Sequence, residues 1–327
     1  MVHRMLTACL FHPLFIGCSR LAHSTNGSED AHGLLTHTNE LLMESSQAML
    51  QRLTGLPIVH HHGYVCELPP NHRFPMPKFH KVLEFLIKDN VISREKQVIH
   101  PKQVSRELAC RAHTEEYVDK FFSGKSTIEE QRVTGFTWTP GLARGTVLAS
   151  QLSMSRGLAT STAGGTHHAF PDKGSGYCLI NDLAVAASHL SDTTDITRVL
   201  IVDLDVHQGD GTAVIFKDTE HVFTFSMHCG QNFPFRKQKS DLDIGVNKGT
   251  GDEQFLRILT VTPILNSCGQ GRRLFDRDYY VMDEAIRRGI PCSVVIGGGY
   301  SRNIDVLAKR HTIMHRAATK IWSQRQL

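Results

Sequence analysis

The sequence predicts an α/β fold in which a parallel sheet is flanked by helices on both faces. Three apolar runs predict buried strands, at 199–206 (VLIVDLDV), 221–227 (HVFTFSM) and 291–296 (PCSVVI). Helical stretches at 182–190 and 278–288 precede the first and third runs. Strands that alternate with helices pair in parallel, and such sheets bind ligands beyond the carboxyl ends of their strands. We therefore expect the chemistry directly after these apolar runs.

Composition narrows the class of protein. The chain has 327 residues, with 36 Lys and Arg, 32 Asp and Glu, 20 His and a formal net charge of +4. These values exclude a collagen-like, coiled-coil or wholly disordered chain. A slight charge without a concentrated basic stripe gives no indication of direct nucleic-acid binding. No apolar stretch reaches the roughly 18–20 residues of a membrane span, so no membrane association is expected.

Residues 1–56 are predicted to be an N-terminal leader, partly disordered, and residues 57–327 a single domain. The first 28 residues contain Arg4 and Arg20 but no acidic residue. Such a start is typical of an organellar transit peptide, which would direct the chain to a plastid or mitochondrion. The alternative is a leader without targeting function, on a chain of the nucleus or cytoplasm.

The first part of the main domain is predicted to be loop followed by helices. Residues 57–77 contain five Pro, which break regular structure. They include His60–His62, for which we expect a surface or packing role, because three adjacent imidazoles cannot all face one ion. Residues 78–88 (KFHKVLEFLIK) have helical periodicity, and 105–122 is a second helical region.

The strongest chemical signal lies where the first predicted strand ends. Asp203, Asp205 and His207 alternate along it and should project from one face. Two carboxylates buried there without a partner would be costly, and a divalent cation would remove that cost. Mixed carboxylate and imidazole donors suit zinc or ferrous iron better than magnesium. The alternative is a network of carboxylates at the end of the strand, capped by the histidine.

Two adjacent histidines form the second signal. His167 and His168 follow a glycine-rich turn at 164–165. Near an activated water they could work as general base and general acid, and carboxylates such as Asp203 and Asp210 would set their tautomers. A His-His pair alone is weak evidence, and a structural role is the alternative.

A glycine-rich turn with a tyrosine is the third signal. Gly297–Gly299 follow the last predicted strand and lead to Tyr300, whose hydroxyl can donate to a developing oxyanion. The alternative is an ordinary glycine turn followed by a packed aromatic ring. Aromatic residues after Gly176 and after the second strand, Tyr177 and Phe233, could form the walls of a slot for an extended aliphatic chain. Packing in the core explains these two rings equally well.

Together these motifs resemble the zinc-dependent histone deacetylase superfamily. Three strings carry the resemblance: GGTHHAFPDKGSGYCLIND (164–182), VDLDVHQGDGT (202–212) and GGGYS (297–301). The resemblance runs from about residue 57 to 325. Two further strings are similar to class IV deacetylases and their plant and bacterial relatives: HRFPMPKF (72–79) and MHCGQNFPFRKQKSDLD (227–243).

The resemblance implies a fold, a reaction and roles for the residues above. The fold is of the arginase/deacetylase type, and the reaction is hydrolysis of N-acetyl-lysine on histones or other proteins, with release of acetate. Asp205 and His207 would be zinc ligands, and His167 and His168 the acid/base pair. Tyr300 would polarise the acetyl carbonyl beside the zinc.

The resemblance also assigns supporting residues. Asp203 would support the first histidine of the pair and Asp210 the second. The tunnel for the acyl-lysine chain would be lined by Gly176, Tyr177 and Phe233. A structural potassium ion would lie at Asp203, Asp205, His207 and Ser226. Corepressor proteins are further expected partners.

One part of the family pattern is absent from the sequence. The family supplies a third zinc ligand, an Asp in a turn such as D-A-G-x-D, from a strand between the second strand and the tyrosine turn. Residues 251–281 contain no such run, and the candidate remnant strand Val261–Ser267 has no carboxylate. The third ligand is therefore unknown, and one core strand is expected to be missing. Weaker zinc binding, impaired activity and an opened sheet would follow.

Two other functions remain open at this point. A regulatory paralogue would bind acyl-lysine or partner proteins without turnover, and its zinc content would distinguish it from an enzyme. A deacetylase of acetylpolyamines would use the same scaffold with an acidic residue at the tunnel mouth, and the sequence identifies none. An arginase-like hydrolase fits less well, because its two-metal site needs more Asp and His ligands than these motifs supply.

Overall fold

The computed structural model describes residues 7–12, 53–65, 68–69, 72–136, 146–262 and 274–327, and in residues 7–12 it describes the backbone alone. The predictions made on Arg4, Arg20 and most of the leader lie outside the described residues. The segment 263–273, with most of the candidate remnant strand, also lies outside them. Val261 itself ends a helix rather than beginning a strand.

The strands in this part of the chain are β1 (Thr7–His12), β2 (Ile58–Val59), β3 (Val98–Ile99), β4 (Leu158–Ser161), β5 (Arg198–Asp203), β6 (Val222–Cys229), β7 (Leu242–Val246) and β8 (Cys292–Val295). They form one sheet in the order β3-β2-β4-β8-β1-β5-β6-β7. Every pair that does not involve β1 is parallel. The carboxyl ends of seven strands therefore meet at one edge, as predicted for a parallel α/β sheet.

The centre of the sheet is occupied by β1, which comes from the predicted leader. It is antiparallel to both neighbours, and Thr7 pairs with Asp203 of β5 and Val295 of β8. Without β1, both neighbours would present unpaired N–H and C=O groups at the middle of the sheet. The expected opening of the sheet is therefore wrong for the described residues, because β1 pairs with both neighbours there. The domain boundary at residue 56 stays a prediction.

The helices of the described residues are α1 (Lys78–Lys88), α2 (Arg94–Gln97), α3 (Arg106–Ala109), α4 (Glu115–Phe122), α5 (Ile128–Thr134), α6 (Thr146–Arg156), α7 (Asp182–Thr193), α8 (Asp210–Phe216), α9 (Asp252–Val261), α10 (Leu274–Arg287) and α11 (Ile304–Arg325). Helix α1 has the predicted bounds and buries its apolar face. The helical region predicted over 105–122 contains two helices, because the Thr114 side chain accepts from the Tyr117 amide and begins a new helix there.

Helices cover both faces of the sheet, as predicted. One hydrophobic cluster contains Val202 and Val294 and joins one face to α1, α10 and α11. A second cluster contains Ile201 and Val295 and joins the opposite face to α4, α7 and α8. Neighbouring residues of one strand enter different clusters because side chains alternate across a strand. The alternation accounts for the continuous apolar runs of the sequence.

The predicted loop 57–77 contains β2 and a short 3-10 turn, His62–Tyr64. His60 and His61 are buried, and His60 Nδ1 lies 2.7 Å from the Thr162 hydroxyl. The packing role expected for these two histidines is confirmed. Within the described residues, no helix is both long enough and apolar enough to cross a bilayer.

The position of β1 predicts that the sheet depends on its hydrogen bonds. Leu10 pairs with both β5 and β8, so Leu10→Pro should remove one ladder donor and lower the free energy of unfolding by about 1–3 kcal/mol. Leu10→Val keeps the backbone N–H donor, so its free energy of unfolding should differ far less from that of the wild type. Urea unfolding of both variants measures these free energies. Equal midpoints would show that the backbone hydrogen bonds of β1 do not stabilise the sheet.

Acid sensitivity should follow from His315 of α11. This residue is fully buried, its Nδ1 lies 2.8 Å from the Thr160 hydroxyl, and burial lowers its pKa from 6.5 to about 3. The unfolded chain binds the proton between these pH values and the folded chain does not, so stability falls as pH drops through this window. Between pH 7 and pH 4.5, the free energy of unfolding should fall by about 3 kcal/mol less in His315→Gln than in the wild type.

Urea unfolding at the two pH values provides this comparison. The other buried histidines remain in both proteins, so the difference between them isolates His315. Equal losses in the wild type and the variant would contradict the assignment.

Candidate active site

A cavity of about 680 Å³ lies at the carboxyl edge of the sheet. The loops that follow β4, β5, β6 and β8 surround it. The structure brings eight of the predicted site residues to its walls: His167, His168, Gly176, Tyr177, Asp205, His207, Phe233 and Tyr300. Asp203 and Asp210 lie behind the two histidines. Residues from four distant parts of the chain thus form one site.

Each adjacent histidine is paired with a buried carboxylate. His167 Nδ1 lies 2.5 Å from Asp203 Oδ2, and His168 Nδ1 lies 2.6 Å from Asp210 Oδ1. All four side chains are buried, and the two rings are 4.1 Å apart. Because a carboxylate accepts, Nδ1 of each ring carries the proton. The Nε2 atoms are then free for chemistry, and His167 Nε2 is buried without a hydrogen-bond partner among the described residues.

The two imidazoles have opposite protonation tendencies. Burial opposes the charged form of His167, but the charge of Asp203 outweighs it and raises the pKa to about 9. Burial and the charge of His167 lower the pKa of His168 to about 4. Two neighbouring groups whose pKa values are pushed apart are the usual basis of an acid and a base in one site.

The turn that carries the histidines is held by Asp182, at the start of α7. Its carboxylate accepts from the amides of Gly165, at 3.0 Å, and Thr166, at 2.7 Å. Gly164 adopts φ +99°, and a Cβ there would lie 2.6 Å from an Asp182 oxygen. The glycine pair is therefore needed for the chain to enter this turn and place His167 over β5.

Asp205 and His207, predicted to project from the strand, lie beyond the end of β5 instead. β5 ends at Asp203, whose Oδ1 accepts from the Asp205 amide at 2.9 Å, and Asp205 Oδ1 accepts from the His207 amide at 2.5 Å. These bonds from side chain to backbone replace the ladder and end the strand early. The three residues still remain adjacent, with His207 Nδ1 3.2 Å from Asp205 Oδ1.

Two donors for a metal ion are present in the described site. Asp205 Oδ2 is buried without a hydrogen-bond partner, and His207 lines the same cavity. Burial alone would raise the pKa of Asp205, but His207 and His167 hold it below its usual value. No group of three His, Cys, Asp or Glu suited to a metal occurs among the described residues. These residues therefore do not complete the usual three-ligand zinc site.

Aromatic rings form the cavity wall. Phe233 meets the His168 ring edge to face at 4.9 Å, and Tyr177 lies 5.7 Å from Tyr300. Gly176 adopts φ +53°, and a Cβ there would lie 2.8 Å from the His168 ring. Tyr300 keeps 41% of its surface exposed, but desolvation at the cavity raises the pKa of its hydroxyl, which therefore keeps its proton and can donate. The slot is thus apolar along its sides and polar at its inner end.

Ser226 is a predicted site residue that does not line the cavity. It is buried on β6, paired in register with Asp203, and its hydroxyl lies 3.0 Å from His228 Nδ1. The potassium ion expected there stays a prediction.

Sequence reasoning missed Lys78, at the start of α1. Its Nζ donates to the carbonyls of Gly297, at 2.8 Å, and Gly298, at 2.5 Å, which lie three and two positions before Tyr300. The side chain is fully buried between the rings of Phe74 and Phe79. A lysine in the first turn of a helix usually reaches solvent, so only the flanking aromatic residues of HRFPMPKF hinted at burial.

Comparisons with known proteins agree with this geometry. Residues 72–269 match the family model described as the histone deacetylase domain. An uncharacterized protein of Picosynechococcus is 42% identical over 300 residues, covering 82% of this chain and all of that protein. Histone deacetylase 2 of Arabidopsis thaliana is 25% identical, covering 71% and 70% of the two chains. A solved histone deacetylase homologue complexed with SAHA has a TM-score of 0.61 at 22% identity, covering 81% and 84%.

Fold and site together define a deacetylase of the arginase/deacetylase type, an amide hydrolase. The chain belongs to the histone deacetylase family, since the family model matches more than half of it. The predicted fold and the predicted superfamily are both confirmed. The roles of the individual site residues stay predictions.

The contacts of Lys78 predict that it supports the tyrosine turn. Lys78→Met should remove the ammonium donor from the carbonyls of Gly297, which is buried, and Gly298, which is half-buried, and lower the free energy of unfolding by about 1–3 kcal/mol. Amide exchange at 298–300 should accelerate in parallel. Lys88→Met, on the exposed end of the same helix, is the matched control and should change stability by less than about 0.5 kcal/mol. Equal exchange in both variants would remove Lys78 from this role.

Proposed function

We propose that this protein hydrolyses the side-chain amide of N-acetyl-lysine in proteins and releases acetate. The observation that supports this most is the pair of buried histidines, each on its own carboxylate, facing the same cavity as Tyr300. An acid, a base and a hydroxyl donor around one apolar slot suit cleavage of an amide at the end of an aliphatic chain.

The residues would share the reaction as follows. The aliphatic chain lies between Tyr177 and Phe233, which exclude water from it. His168, neutral at pH 7, takes a proton from the attacking water. Tyr300 donates to the carbonyl oxygen as the tetrahedral intermediate forms. His167 donates its Nε2 proton to the lysine nitrogen as the C–N bond breaks, so that acetate and a free amine leave.

Zinc dependence is part of the proposal. A zinc ion held by Asp205 and His207 would supply Lewis acidity at the amide oxygen. The described residues supply two protein donors, so the site should bind zinc more weakly than a three-ligand site does. The deacetylase activity should be impaired as a result. This incomplete donor set also favours a second candidate, a non-catalytic paralogue that binds acyl-lysine or partner proteins.

A protein substrate is favoured over an acetylpolyamine. Among the described residues that line the cavity, the carboxylates are Asp182 and Asp205. Asp182 is engaged by backbone amides, and Asp205 is buried, with one oxygen on His207 and the carboxylate assigned to the metal ion. Arg73 also lines the cavity and is exposed. A polycation would therefore meet a positive charge without a carboxylate to receive it. Histones or other proteins as substrates, and corepressors as partners, stay proposals.

The fold bears on the compartment as well. Removal of an organellar leader ending near residue 28 would remove β1 from the centre of the sheet. On this ground we propose the nucleus or cytoplasm as the compartment, rather than a plastid or mitochondrion. Sequencing the N-terminus of the protein purified from its own cells tests this, and a start after residue 12 would overturn it.

Turnover of an acetyl-lysine peptide tests the proposed function. His168→Ala should lower kcat/KM by at least about 100-fold, because it removes the base, and Tyr300→Phe should lower it about 100-fold, because it removes an oxyanion donor. Added zinc should raise the activity of the wild type. Lys217→Ala, on the exposed surface after α8, is the control and should change nothing.

Three results separate the alternatives. Activity that survives both site variants would overturn the assignment of the catalytic groups. Stoichiometric zinc after purification, with turnover as high as in three-ligand relatives, would overturn the expected impairment. Tight binding of the acetylated peptide without turnover, with or without zinc, would identify the non-catalytic paralogue.

A further inference from the structure

His113 joins the two ends of the loop 170–181, which separates the histidine pair from α7. Its Nδ1 lies 2.8 Å from the Phe170 carbonyl, and its Nε2 accepts from the Asn181 amide at 2.9 Å. A backbone carbonyl can only accept and a backbone amide can only donate, so the ring must be neutral with its proton on Nδ1. The residue is buried, and burial lowers its pKa to about 4, which agrees with a neutral ring.

Two further bonds fasten the same loop to α4. The Thr114 amide donates to the Pro171 carbonyl at 2.8 Å, and the Tyr117 hydroxyl donates to the Leu179 carbonyl at 2.7 Å. We call His113, Thr114 and Tyr117 the loop clamp. Between these points the loop carries Gly176 and Tyr177, which line the cavity.

The clamp reaches the histidine pair through Asn181. The Asn181 side-chain amide donates to the Ala169 carbonyl at 3.1 Å and to the Thr212 hydroxyl at 3.0 Å. Ala169 follows His168 directly, and Thr212 belongs to the first turn of α8, which begins with Asp210. Both partners of the His168–Asp210 pair are therefore tied to the residue that His113 holds.

We propose that His113 and Tyr117 are positioning residues for the deacetylation reaction, His113 for the His168–Asp210 pair and Tyr117 for the Tyr177 wall. This inference rests on the proposed function. Neither His113 nor Tyr117 lines the cavity, so each acts through the backbone of the loop. Small displacements of catalytic groups have large effects on rate, whereas displacement of a wall weakens substrate binding.

Simple packing makes a different prediction from positioning. A packing role needs only volume at residue 113, which Leu supplies. The bonds seen here need one donor and one acceptor, which Gln supplies and Leu does not. His113→Leu and His113→Gln therefore form a matched pair, and Tyr117→Phe removes one hydroxyl while keeping the ring.

Steady-state kinetics with an acetyl-lysine peptide measure the first consequence. His113→Leu should lower kcat at least about 10-fold with KM within about 2-fold, and His113→Gln should recover most of the loss. Tyr117→Phe should raise KM about 3-fold or more with little change in kcat. His221→Leu, an exposed histidine in the turn before β6, is the control and should match the wild type. Equal kcat in the Leu and Gln variants would overturn the role of His113.

Two measurements do not depend on turnover. The ring ¹⁵N shifts of His113 should show a proton on Nδ1 and none on Nε2 from pH 8 to pH 5. Exchange of the Asn181 amide should be at least about 10-fold faster in His113→Leu than in His113→Gln. A proton on Nε2, or equal exchange in the two variants, would overturn the clamp. If the wild type shows no turnover, the proposed function fails, and these two measurements still decide the clamp.

Discussion

The site depends on how three buried carboxylates are compensated. Asp203, Asp205 and Asp210 lie within eight residues at the end of β5, and each is almost fully removed from solvent. A buried carboxylate without a partner is costly, so each must receive hydrogen bonds or a positive charge. His167 and His168 satisfy two of them. The same pairing fixes the tautomers of both rings, and the pKa values of the two rings are shifted in opposite directions. The contacts that stabilise the buried carboxylates are therefore also the contacts that prepare the two histidines for acid and base chemistry.

Asp205 is where this compensation is incomplete. One of its oxygens accepts from His207, and the other is buried without a hydrogen-bond partner among the described residues. An orphaned carboxylate oxygen beside an imidazole is the arrangement that a cation would complete. The position between β5 and β8 in the sheet is filled in an unexpected way as well. The strand there is β1, which is antiparallel to both neighbours. Backbone pairing needs only N–H and C=O groups, which any strand offers, whereas a metal site needs a particular side chain.

Around these carboxylates, supports from distant elements hold the reactive loops by their backbones. Lys78 binds the turn before Tyr300, and His113 and Tyr117 bind the loop behind Tyr177. Each support meets carbonyl or amide groups, which every residue carries, so it fixes the path of a loop without specifying its side chains. Such contacts leave the lining of the slot to vary while the catalytic geometry is held.

The sequence by itself determined the class of fold and the site motifs. Strand and helix periods, and groups such as His167–His168, are set by neighbouring residues, so they can be identified without the fold. Tertiary structure alone decided that β1 enters the sheet in reverse and that Lys78 and His113 are buried at the site. Lys78 lies 219 positions from Gly297, and His113 lies 68 from Asn181. The local sequence pattern cannot predict contacts between residues so far apart, because which residues are buried depends on which elements pack together.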